Sequence, residues 1–147
     1  MALGSSNNTI QIYAIGNLTA PPTEIEGFKD WPRNLDWSPD SETLAVADRN
    51  RLRIIRVSSQ EVVQTWEVGG GENGLSPYDV SFLDNGNKLT WEYRDGRYLY
   101  DLEKNTKWYW TPRTMDHIWG SMGYSFLNQK NPAVTHDGNS TVRTWKI

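Results

Sequence analysis

The sequence predicts an all-β chain built from a repeated unit of short antiparallel strands. Two observations carry that prediction. Alternating apolar runs of four to seven residues recur along the chain, broken by Gly, Asn, Asp and Pro clusters, and no stretch joins an N-cap, ten helically periodic residues and a C-cap. The runs also repeat: the aromatic anchors Trp37, Phe82 and Phe126 stand 45 and 44 residues apart.

The strands follow in order. Ser6-Asn7-Asn8-Thr9-Ile10-Gln11-Ile12-Tyr13 is a turn followed by alternating apolar residues, and a further strand is expected near residues 21–27. Leu35-Asp36-Trp37-Ser38-Pro39-Asp40-Ser41-Glu42-Thr43-Leu44 is a strand closed by an aromatic, a polar turn and the start of a second strand. That second strand, Leu44-Ala45-Val46-Ala47, ends at Asp48-Arg49-Asn50; Leu52-Arg53-Ile54-Ile55-Arg56-Val57 ends at Ser58-Ser59. Val62 to Val68 ends at Gly69-Gly70-Gly71, each run being of ordinary strand length. Val80-Ser81-Phe82-Leu83-Asp84-Asn85-Gly86-Asn87-Lys88-Leu89 repeats the first template, and Tyr124 to Ala133 repeats it again. The turn-then-strand marker recurs in phase at Asp48 to Ile54, Asp95 to Tyr100 and Asp137 to Trp145.

A unit is thus four strands in about 44 residues, the period of a propeller blade. Both faces of such a unit are apolar and aromatic, so it buries itself only by stacking against neighbours. The 8 Trp and 7 Tyr, against 3 Phe, supply large contact areas with polar tips. A net charge of -3 argues against a basic surface for nucleic acid, and no apolar run is long enough to predict a membrane span. The absence of cysteine excludes disulfides, zinc-thiolate sites and cysteine nucleophiles; with no secretory signal, the expected location is cytoplasmic or nuclear.

At Ser38-Pro39-Asp40, at the Asp before each third strand (Asp48, Asp95, Asp137) and at Thr141-Val142-Arg143-Thr144-Trp145-Lys146, the chain resembles the WD-repeat β-propeller family. The resemblance covers nearly the whole chain. The family's Gly-His pair is missing, and the Trp-Asp pair survives only as Trp145-Lys146. Its buried network of Asp, His, Ser/Thr and Trp is therefore incomplete, and apolar and aromatic packing is expected to replace it. With strands named a to d outward from the channel, the chain reads b-c-d, a-b-c-d, a-b-c-d, a-b-c, in units of about 1–27, 28–69, 70–115 and 116–147. The expected fold is a partial β-propeller with two complete and two incomplete four-stranded antiparallel blades. The resemblance implies a ring of about seven blades. Another chain, a complementary propeller half or homo-oligomerisation would then complete it, and end blades would expose apolar faces and strand edges.

Catalytic and metal-binding patterns do not emerge. His117 and His136 are the only histidines, and adjacent Asp116 and Asp137 point the other way in a strand. Asp84-Asn85-Gly86-Asn87 and Asp137-Gly138-Asn139 lack the closing Glu of a calcium loop and read as hairpin turns. Gly69 to Gly74 lacks the Lys-Ser/Thr of a phosphate loop. The sequons at Asn7, Asn17 and Asn139 carry no weight without a secretory signal. Trp108 and Trp110 share a strand face and read as packing between blades. No enzyme activity, cofactor or metal is expected. The expected function is a protein-protein interaction scaffold that binds protein or peptide partners through loops between blades. The resemblance puts the connections ahead of each a strand on one rim of the disc. Trp31, Arg33, Arg49, Arg97, Asp116 and Trp119 are the candidate partner-binding residues there, aromatic and Arg side chains being common at hot spots. A Trp-rich lectin assembled from short chains, and a half-propeller that only completes a larger ring, are the alternatives.

Overall fold

A computed structural model describes residues 1–32, 34–68, 78–93, 96–110, 124–126, 133–136 and 142–145. Fourteen strands and one 3-10 turn (Asp84–Gly86) make up its regular structure. They form four antiparallel sheets, each drawn from one stretch of chain. The first holds β1 (Ala2–Gly4), β2 (Ile10–Ile12) and β3 (Thr23–Ile25). The second holds β4 (Asn34–Trp37), β5 (Thr43–Asp48), β6 (Arg51–Arg56) and β7 (Glu61–Glu67). The third holds β8 (Tyr78–Leu83), β9 (Lys88–Tyr93), β10 (Gly96–Asp101) and β11 (Thr106–Trp110), and the last β12 (Tyr124–Phe126), β13 (Ala133–His136) and β14 (Val142–Trp145). Strand order within every sheet follows chain order, so each is a meander compatible with a propeller blade.

β5 of the second sheet is buried on both faces. Leu44 and Val46 point into one apolar cluster with Ile10, Ile25, Phe28 and Ile55, against the first sheet. Ala45 and Ala47 point the other way, into a cluster with Phe82, Leu89, Trp91 and Tyr100 of the third sheet. Period-2 alternation therefore sorts branched side chains to one side and methyl groups to the other. The methyls leave room for large rings: Trp91 stacks on Tyr98 (centroids 5.3 Å apart), and Trp66 meets Tyr100 edge-on at 5.0 Å.

The anchors hold equivalent places. Trp37 pairs with Leu44, Phe82 with Leu89 and Phe126 with Ala133, each strand end against the start of the next. Trp37 packs on the cluster shared with the first sheet and Phe82 on the cluster shared with the second, so each faces the preceding unit. The turns after the anchors also meet. A side chain at Gly86 (φ +91) would stand 3.3 Å from Pro39 Cδ. The Asp84 carboxylate there accepts from Lys88 Nζ at 2.9 Å, as suits a hairpin turn.

The face of the first sheet turned away from the second mixes apolar and polar side chains. Leu3, Gln11 and Glu24 lie in one row on the side away from the second sheet. Gln11 donates to Glu24 at 2.9 Å and accepts from the Tyr13 hydroxyl at 3.1 Å, so only Leu3 leaves that row apolar.

Candidate interaction surface

Strand order puts the β3–β4 connection, the β5–β6 turn and the end of β7 on one rim of the second sheet. A fully buried carboxylate joins the first two. Asp48, the last residue of β5, accepts the backbone N–H groups of Lys29 (3.1 Å) and Asp30 (3.0 Å). The guanidinium of Arg51 reaches it at 2.5 Å, and that of Arg53 also bonds it. Arg53 donates in addition to the Gly27 carbonyl at 3.0 Å and lies 4.7 Å over the Phe28 ring. Segment 27–30 is thus held by two amides, one carbonyl and one aromatic face. Gly27 makes the bend with φ +87.

Burial raises the Asp48 pKa, but the bonds from Arg53, the Lys29 amide and Arg51 outweigh it and hold the carboxyl below the usual carboxylate range. The charge is therefore permanent near neutrality. This Asp–Arg–Arg network adds buried charge between sheets where apolar and aromatic packing was expected. It brings two arginines of β6 onto one carboxylate of β5. Arg51, Arg53 and Ile55 alternate onto one strand face, and a buried guanidinium requires a carboxylate.

Two candidate residues emerge on this rim. Trp31 follows the clamped segment with 41% of its surface exposed. Arg49 is exposed at the corner of the β5–β6 turn with φ +53. Beside them, Asn50 donates to Glu67 at 3.0 Å, and its carbonyl accepts the Val68 N–H at 2.8 Å. Arg97 lies one sheet on, in β10, with Cα partners Glu92 and Trp110, at the register that Leu52 holds in β6 and not at that of Arg49. Arg33, Asp116 and Trp119 lie outside the described residues.

The opposite rim carries the turns after the anchors. Ser38 Oγ accepts from Thr43 N (2.9 Å) and donates to Asp40 (2.5 Å), whose carboxylate also takes the Glu42 N–H. These bonds, Ser38 foremost, lower the Asp40 pKa. Trp108 keeps 46% of its surface exposed on the face of β11 shared with Leu99. His136 closes β13, and His117 lies outside the described residues. Among the described residues, no helix is long and apolar enough to cross a membrane.

No family model matches the chain. Over 97 residues, 64% of its length, it is 30% identical to dipeptidyl-aminopeptidase B of Aspergillus niger, and that stretch is 11% of the relative. A probable dipeptidyl-aminopeptidase B from an Aspergillus niger strain is 29% identical over the same share of each chain.

Proposed function

We propose that this chain is a section of a β-propeller of WD-repeat type, acting as a non-catalytic interaction module whose docking surface is the Trp31–Arg49 rim. The observation that carries this reading is the Asp48 clamp. It fixes an aromatic-bearing loop beside an arginine-bearing turn, both exposed, on a rigid sheet. Preorganised aromatic and guanidinium groups lose little entropy on binding and form typical anchors for peptides. Further blades from elsewhere complete the ring in this proposal. The cysteine-free composition suits a cytoplasmic or nuclear setting.

A peptide-library selection against the chain tests the rim. Trp31→Ala and Arg49→Ala should each weaken the selected peptides about tenfold or more, while Val63→Ala on the outer strand should not. Peptides that bind both rim variants as tightly as the wild type would remove the proposal.

The similarity to dipeptidyl-aminopeptidase B favours a second reading, in which the chain corresponds to a non-catalytic portion of a longer peptidase-like polypeptide. The 147-residue chain should then leave a dipeptidyl chromogenic substrate uncleaved. Turnover that survives repurification would count against both readings.

A further inference from the structure

Among the described basic side chains, all but two have an anionic or aromatic partner, and the two exceptions lie together. Arg51 and Arg53 share Asp48. Arg56 pairs with Glu61, Lys88 with Asp84 and Lys104 with Asp101, and Lys107 lies over the Tyr98 ring. Lys29 and Arg49 are exposed and, among the described residues, meet neither a carboxylate nor a ring.

Asp48 brings these two cations together. Its carboxylate accepts the Lys29 N–H at 3.1 Å, and Arg49 follows it in the chain. Exposed Trp31 stands two residues beyond Lys29. Beneath them one carboxylate faces two guanidiniums, which leaves an excess positive charge in a largely buried place. Low-dielectric surroundings carry the field of such a charge outward. Three carboxylates share the rim, and none takes up the free cations: Asp30 accepts the Trp31 N–H, Glu67 accepts from Asn50, and Glu26 is exposed. On the opposite rim the described cations Arg56, Lys88 and Lys104 are all paired. Arg49 also holds φ +53, a left-handed conformation that Asn or Gly adopts more readily, so the turn itself does not call for arginine.

We propose that the Lys29–Trp31–Arg49 rim takes an acidic peptide, with a partner carboxylate on Arg49 and Lys29 and an apolar side chain of the same peptide on the Trp31 ring. This deepens the docking reading above and rests on it. A guanidinium takes a carboxylate through paired N–H groups, and Lys29 adds a point charge. Exposed ion pairs contribute little singly and are screened by salt, so the recognition is salt-dependent.

The test resynthesises the peptides selected on the chain with Asn for Asp and Gln for Glu. Peptides that need Trp31 should be rich in acidic residues, and their amide forms should bind about tenfold more weakly, a difference that shrinks at high salt. Arg49→Asn should weaken the acidic forms about tenfold and Lys29→Gln about threefold, with little effect on the amide forms. Asn at position 49 suits φ +53, so Arg49→Asn should unfold in urea no earlier than the wild type, which separates lost binding from lost folding. Trp31-dependent peptides that are not acidic, or whose amide forms bind as tightly, overturn this inference and leave the docking reading standing. Acidic peptides indifferent to Lys29→Gln and Arg49→Asn overturn it too. Peptides that bind both Trp31→Ala and Arg49→Ala as tightly as the wild type remove the docking reading and this inference with it.

Discussion

Asp48 is the residue on which the rim depends. Removing its carboxylate leaves two guanidinium groups in the interior, whose Nε atoms already lack acceptors among the described residues. Asp48→Ala should therefore cost about 3–5 kcal/mol in urea denaturation. Replacing Asp48, Arg51 and Arg53 together by apolar residues of similar volume should recover much of that loss. Burial opposes the charge, and the bonds from Arg53, the Lys29 amide and Arg51 prevail, so the folded pKa lies below the unfolded value. The stabilisation is then fully present above about pH 4 and is lost as pH falls through the lowered value. Wild-type stability should fall more steeply below pH 4 than that of Asp48→Asn, and parallel profiles would contradict the assignment. The sequence made Asp48 legible as a turn marker, but not as the receiver of two arginines. That role depends on which β6 face turns inward, and alternation alone does not say which neighbour lies there.

Strands and turns were more legible than side-chain partners. Leu44 to Ala47, Leu52 to Val57 and Val62 to Val68 fall on β5, β6 and β7 within a residue or two, because strand ends coincide with turn chemistry. The ties between sheets were not legible, since they join residues far apart in sequence. Asp36 in β4 is one: its carboxylate accepts the N–H of Phe82 in β8 at 2.7 Å. A bond from a side chain occupies the N–H of an edge strand that ladder pairing leaves over. Asp36→Ala should destabilise by about 1–3 kcal/mol, and Asp36→Asn, which keeps an acceptor, by less. Equal losses in the two variants would show that the charge, and not the bond, matters.

At the scale of the molecule, among the described residues a three-stranded sheet precedes and another follows the two four-stranded ones in chain order, and the proposed ring needs strands from elsewhere. Light scattering on the dilute chain should accordingly report a mass above one copy; a cooperatively unfolding monomer would argue against ring completion by association. The anchors Trp37 and Phe82 both look backward along the chain, while Ala45 and Ala47 look forward to receive the next set of rings. At the two joints described, such a stack has a head and a tail. Nothing within one unit dictates how many may follow. Duplication or loss of a whole 44-residue period would leave matching surfaces at the new seam, whereas loss of half a period would set two heads together.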